Sequence, residues 1–256
     1  MEMLIRRTRE LGTSAGVLLP KSWLNKEVSV KVILPLKEEI ARDVMNILID
    51  KNLSKDTKGI YLVGSYARGE ADFNSDIDIL VLTRKMNKII KHENYEIVLV
   101  SEDNFSKNLS ESLNFVSFLK EAEPLFNEEL IERHKQARHK FNVWRHVKEI
   151  EKIIKINTDS VNLCRSTREN VPDGIIYSIV LRLRELYMIK CFISGRNHSK
   201  REFVKIVGEK AYNSYNLVKA EQKEANCISP DEAISLLELS EKWLKELRGR
   251  KKELRV

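Results

Sequence analysis

The sequence is short of the residues that build the commoner kinds of site. Its three cysteines, Cys164, Cys191 and Cys227, stand far apart in 256 residues without C-x-x-C spacing, which argues against a disulfide framework or a zinc site and points to buried thiols. The five histidines show no metal-ligand spacing, and no Ser-His-Asp or Cys-His arrangement can be argued from their order, so hydrolytic chemistry is unsupported. No run approaches eighteen apolar residues. The start, Met1-Glu2-Met3-Leu4-Ile5-Arg6-Arg7, has neither the apolar core nor the cleavage site of a signal peptide, so a cytoplasmic protein without a membrane partner is expected. No G-x-G-x-x-G is present. Gly64 and Gly69 have P-loop spacing, but Glu70-Ala71 stands where Lys and Ser or Thr are required.

Charge is what the chain has in plenty. Charged residues make up 32%, and 45 Lys plus Arg against 38 Asp plus Glu give a net +7, which favours a polyanionic partner or simply counters the charge of a bound nucleotide. The most informative stretch runs from Gly64 to Val81. The apolar run Ile60-Tyr61-Leu62-Val63 reads as a buried strand, Gly64 breaks it, and a helical turn can begin with Ser65 as its N-cap. Unpaired N–H groups at such a helix start, with a glycine ahead of it, suit a phosphate. In Asp76-Ile77-Asp78-Ile79-Leu80-Val81 the two-residue period sends Ile77, Ile79 and Val81 to one face and both aspartates to the other. Carboxylates that close repel unless a hard divalent cation sits beside them, and Mg²⁺ is the natural candidate. Alone, an Asp-x-Asp is a solvated strand edge; here turn, gap and acid pair fall within eighteen residues.

The run GSYARGEADFNSDIDILV resembles the signature of the DNA polymerase beta-type nucleotidyltransferase superfamily, most closely its minimal nucleotidyltransferase branch, whose pattern is G-S-x-A-R-G, a short gap, then S-D-x-D. The resemblance implies that Gly64 and Ser65, with Arg68, Gly69 and Ser75 of the same pattern, bind a nucleoside triphosphate, ATP by preference. It implies that Asp76 and Asp78 ligate two Mg²⁺ and that a third carboxylate, catalytic and metal-binding, lies on a neighbouring strand. Glu96 is the candidate, where the family usually has Asp. It stands in Tyr95-Glu96-Ile97-Val98-Leu99-Val100, a strand-like run about twenty residues after the pair, and Asp103 in the loop beyond is the alternative. The implied reaction moves a nucleoside monophosphate to a hydroxyl and releases pyrophosphate. A protein acceptor, as in antitoxin-like AMPylation, is favoured over a small molecule or a nucleic-acid 3′ end. The competing reading is a DNA-binding regulator that only senses nucleotide, although a sensor has no need of both aspartates and a third acid.

The expected fold is α/β (α+β), with three parts. Residues 1–36 read as a β module: Ile5–Leu11 and Val17–Pro20 flank the turn cluster Gly12–Gly16, and Glu27–Leu34 alternates as a further strand. LGTSAGVLLPKSWLNKEVSVKVIL resembles the AbrB-type swapped-hairpin fold, which implies a homodimer and a possible DNA partner contacted by Arg6, Arg7, Arg9 and Lys21. Residues 37–126 form the catalytic domain, with a mixed sheet, a helix over Leu36–Asp50 ahead of the first strand and another over Asn104–Leu119. Residues 127–256 form a helical bundle, with one long helix over Glu128–Asn157, an amphipathic one over Asp173–Ser194 and a last one capped at Ser229-Pro230-Asp231. Between two of these helices, the basic turn Gly195–Lys200 could touch a triphosphate or a polynucleotide. Arg133 and His139 match the loose R-x(4–6)-H spacing of HEPN ribonucleases, a match that chance supplies in so basic a chain.

Overall fold

A computed structural model describes residues 4, 6, 8–30, 34–72, 75–248 and 254–255. The chain divides into two compact units, Met1–Ile33 and Leu34–Val256. In the first, β1 (Arg9–Leu11) pairs antiparallel with β2 (Ser14–Gly16) about Gly12 and Thr13, a tighter turn than the Gly12–Gly16 cluster expected. Residues 17–20 and 27–30 form no strand, contrary to expectation; Ile5, Arg7 and residues 31–33 lie outside the described residues. The alternation of residues 27–30 finds no partner strand in so small a unit, and a strand without a ladder is not stable. None of this unit's described residues is buried.

The second unit is built on a five-stranded mixed sheet of order β5-β6-β4-β3-β7. Helix α1 (Lys37–Asp50) precedes β3 (Thr57–Val63), the one-turn helix α2 (Gly64–Ala67) and β4 (Ile77–Thr83). Two edge strands were not expected: β5 (Lys88–His92) ahead of β6 (Tyr95–Ser101), and β7 (Glu123–Phe126). β3 runs antiparallel to β4 and β7, β5 antiparallel to β6, and β4 parallel to β6. Both faces are covered. Ile60, Leu62, Ile77, Ile79, Val81, Ile97 and Leu99 pack under Ile40, Val44 and Leu48 of α1. Tyr61, Val63, Leu80, Leu82 and Val100 pack on the other face under Phe105, Leu109, Leu119, Leu130 and Ile131.

Those last residues belong to α3 (Glu102–Glu111), α4 (Leu113–Glu121) and α5 (Glu128–Gln136). The single helix expected over Asn104–Leu119 is two, because Ser112 takes an extended conformation (φ −124°, ψ 122°). The long helix expected over Glu128–Asn157 is also two. Ala137 is extended, and β8 (Lys140–Phe141) pairs with β9 (Leu254–Arg255) while Phe141 is buried. Asn142 then caps α6 (Val143–Thr167), accepting the Arg145 N–H at 3.0 Å. Helix α7 (Asp173–Ile193) is the bundle's central rod, flanked by α8 (Lys200–Val207), α9 (Glu209–Lys219) and α10 (Pro230–Arg248). At the start of α10, Ser229 and Glu232 cap each other through Glu232 N–H to Ser229 Oγ and Ser229 N–H to Glu232 Oε2, at 3.3 and 2.7 Å. Cys191 is buried and Cys164 half-buried, but Cys227 is exposed in the polar loop after α9, where no apolar neighbour covers it.

Candidate active site

The site is assembled at the end of β3, where the chain turns through α2 and returns along β4. Gly64 has φ +73°, a conformation L side chains rarely adopt, so the helical turn starts there with Val63 as N-cap; Ser65 lies one residue inside the turn and does not cap it. A Cβ on Gly64 would stand 2.1 Å from Oδ2 and 2.8 Å from Cγ of Asp78. The glycine therefore serves two ends, the turn and the close packing of a carboxylate on its backbone. Gly69, also left-handed at φ +64°, ends the turn with its N–H on the Tyr66 carbonyl at 3.1 Å.

The ladder fixes which acids meet. Val63 is opposite Asp78 across the antiparallel pair, and Asp78 is opposite Glu96 across the parallel pair. Asp78 and Glu96 thus share one face at one end of the sheet, with exposed Asp76 just before β4. Burial pushes the Asp78 carboxyl up to about 6; the Lys219 ammonium at the end of α9 counteracts this, while Glu96, Asp76 and Glu121 add to it. Glu96 remains half-buried, 3.9 Å from the Lys91 ammonium on edge strand β5. Asp103 is at the opposite end of β6, exposed in the first turn of α3; Ser101, five residues along the strand from Glu96, is already about 17 Å away at ~3.3 Å per residue.

The other motif residues point less toward open space. Ser75 Oγ accepts the Asp72 N–H at 2.9 Å and lies 3.1 Å from Asp72 Oδ1. Phe73 and Asn74 are outside the described residues. The Arg68 guanidinium, largely buried, pairs with Glu70 at 3.2 Å and with Glu121 of α4, whose carboxylate also accepts the Ser117 hydroxyl at 2.8 Å.

The surrounding helices supply groups that the sequence did not single out. Glu121 of α4 is one; others are half-buried Arg184 of α7, which donates to Tyr215 OH at 3.2 Å, and Lys219. His198 is buried beside Arg68 and Arg184, and burial, reinforced by these two cations, pushes its imidazole down to about 3. The turn Gly195–Lys200 is bound to the motif itself. Ser199 donates its hydroxyl to Glu70, and Lys200 Nζ reaches Asp72 at 2.9 Å. Charge abundance hid these partners, because nothing in a sequence with 45 Lys and Arg marks which of them become buried.

The donor chemistry fits a hard divalent cation. Asp78, pushed up in pKa by burial and by three neighbouring carboxylates, is a group whose charged form an added cation would stabilise. Among the described residues, no three acidic, His or Cys side chains are drawn into one coordination shell; Asp76, Asp78 and Glu96 lie at the same end of the sheet.

Residues 42–185, which span α1 to α7 and therefore the whole arrangement of turn, aspartates and Glu96, match the model of the nucleotidyltransferase domain family. A 65-residue stretch, 23% of the chain, is 38% identical to a Methanocaldococcus jannaschii protein provisionally named a protein adenylyltransferase. It covers 61% of that relative, so the chain spans about three-fifths of the relative's length. No helix among the described residues is long and apolar enough to cross a membrane. With more than half its length under that one family model and the motif's glycine packed on the motif's second aspartate, the chain belongs to the DNA polymerase beta-like nucleotidyltransferase family.

Proposed function

We propose that the protein transfers a nucleoside monophosphate, AMP from ATP, to a hydroxyl group of a protein and releases pyrophosphate. The observation that carries the reading is the meeting of Asp78 with Glu96 on adjacent parallel strands, against the backbone of Gly64. Asp76, Asp78 and Glu96 would hold two Mg²⁺. Bound there, the metal would offset phosphate charge and lower the pKa of the attacking hydroxyl. The turn Gly64-Ser65 and the backbone of Gly69 receive the phosphates. Arg68 and Ser75, committed to Glu70, Glu121 and Asp72, act by holding that turn in shape. The acceptor oxygen attacks the α-phosphorus, the bond from that phosphorus to the bridging oxygen breaks, and pyrophosphate leaves with the electron pair. The hydroxyl proton passes to a carboxylate of the Asp78–Glu96 pair. A protein as acceptor is supported by the provisional name of the Methanocaldococcus jannaschii relative.

Domain limits of 37–126 for the catalytic part and 127–256 for the helical part belong to the same proposal, as does action in the cytoplasm. Residues 1–36 are proposed to dimerise the protein and to offer basic groups to DNA. The support is that no described residue of Met1–Ile33 is buried, while Leu11, Leu24 and Val30 are 61–71% exposed. Apolar side chains so placed are covered by a second chain more readily than by water. Incubation with α-labelled ATP, Mg²⁺ and a lysate of the source organism tests the function: a labelled protein band that disappears in Asp76→Ala and Asp78→Ala is expected. Label on RNA alone, or on nothing, would refute the protein acceptor.

A further inference from the structure

The family match ends at residue 185, yet the motif turn is tied to a segment well beyond it. Glu70 follows the α2 turn, with its N–H on the Ser65 carbonyl at 2.9 Å, and its side chain reaches across to the start of α8. There its carboxylate accepts the Ser199 hydroxyl, the Lys200 N–H at 2.8 Å and the Arg201 N–H at 3.5 Å, while its other neighbour is Arg68 Nε at 3.2 Å. Lys200 Nζ to Asp72 at 2.9 Å makes a second strut beside it. Burial alone would raise the Glu70 carboxyl, but the bonds from Ser199, Lys200, Arg68 and Arg201 together hold it below the usual carboxylate range. The carboxylate thus completes the N-terminal cap of α8 from outside the helix. The Ser199 hydroxyl accepts only the Glu202 N–H, at 3.2 Å, and Glu70, from a distant part of the chain, takes the Lys200 and Arg201 N–H groups that this cap leaves open.

Two features connect this tie to the site. Arg68, between Glu70 and Glu121, joins the motif turn to α4 as well, so one buried ion-pair row holds turn, α4 and α8 together. Glu70 itself closes the turn through its N–H on the Ser65 carbonyl, so the residue that carries the start of α8 is also part of the motif backbone. We propose that Glu70 is a positioning residue that clamps the motif turn onto the start of α8, so that the Gly64–Gly69 backbone is held in the shape that receives the phosphates of the nucleotide. This inference rests on the nucleotidyl-transfer reading.

The test uses full-length Glu70→Ala, Glu70→Gln and Ser199→Ala, compared by Mg·ATP titration, by KM and kcat for label transfer, and by amide hydrogen exchange. In Glu70→Ala, faster exchange at Lys200 and Arg201 is expected, with kcat/KM reduced on the order of tenfold or more, because small misplacements of charged groups are costly to transfer. The melting temperature should move far less than the fraction of activity lost. Gln keeps one acceptor oxygen and should restore part of the loss, and Ser199→Ala should fall between the wild type and Glu70→Ala. Unchanged exchange at Lys200 and Arg201, or unchanged KM and kcat despite faster exchange, would overturn the proposal. Wild-type protein that binds no nucleotide would instead sink the functional reading and the positioning role with it, and the exchange data alone would then describe a structural tie.

Discussion

A methyl group on residue 64 would lie 2.1 Å from Oδ2 and 2.8 Å from Cγ of Asp78, inside any real contact distance, and a tight 3.0 Å from its Cβ, on a backbone at φ +73°. In Gly64→Ala the left-handed conformation costs about 1–2 kcal/mol for an L residue, and the overpacking against Asp78 adds about 1–3 kcal/mol. The sum, roughly 2–5 kcal/mol, is a large share of the ~5–15 kcal/mol by which native domains are stable. For a chain of this size it corresponds to a fall in Tm of roughly 5–20 °C. Calorimetry of Gly64→Ala, Asp78→Ala and the double variant separates the two terms. Alanine at 78 removes the contacts at 2.1 and 2.8 Å and leaves the one at 3.0 Å, so the penalty of Gly64→Ala in that background should shrink to the conformational part, about 1–2 kcal/mol. A Gly64→Ala protein melting within about 2 °C of the wild type, or penalties that add without coupling, would refute the argument that the turn and the aspartate are packed as one unit.

Asp76→Ala and Asp78→Ala should each abolish label transfer while circular dichroism and melting stay near wild type, since relief of like charge costs the apo protein little; transfer near the wild-type rate in both would end the assignment. Glu96→Gln should slow transfer far more than it weakens nucleotide binding, and an effect at Asp103→Asn in its place would shift the third acid to α3. His198 is depressed to about 3 in the folded protein against ~6.5 unfolded, so the unfolded chain takes up the proton first and stability is lost as the pH falls from about 6.5 toward 3. Urea melts of wild type and His198→Gln across that range should show the shallower slope in the variant; parallel slopes would contradict the burial argument. Deleting residues 1–34 should turn a dimer into a soluble monomer that still binds nucleotide, and light scattering that finds a full-length monomer, or a dimer after the deletion, would remove the N-terminal unit from that role.

The catalytic strands were legible because their pattern leaves little choice. Ile60–Val63 and Ile77–Leu82 are buried on both faces, so an apolar run interrupted only by Asp78 marks both the strand and its exceptional residue. Glu96 was named from the family resemblance, with Asp103 as the alternative, and the register that sets Glu96 opposite Asp78 is a property of the folded sheet. The edge strands escaped because Lys88–His92 buries only Ile90 and Glu123–Phe126 carries a proline, neither of which reads as a ladder. The helix breaks at Ser112 and Ala137 have no glycine or proline to announce them; they follow from packing, with Phe141 drawn into the bundle core. Glu121 comes to the site from α4, and Arg184, His198 and Lys219 from three separate places in the helical bundle, and no local spacing links them to Asp78. The hairpin near the N-terminus was visible from its glycines, whereas the alternation of residues 27–30 suggested a strand that the unit has no neighbour to support.

The in-register ladder between β4 and β6 also governs how this part of the gene can change in length. Asp78 faces Glu96, with Tyr95 and Ile97 on either side of it in β6. A slip of one residue would turn Glu96 toward the α1 side and set an apolar or aromatic side chain opposite Asp78. A slip of two would restore the facing direction but bring Asn94 or Val98 to that place. Neither slip recovers a carboxylate, so insertions and deletions between β4 and β6 leave the acid pair intact only when the connection through β5 absorbs them and β6 keeps its count against β4.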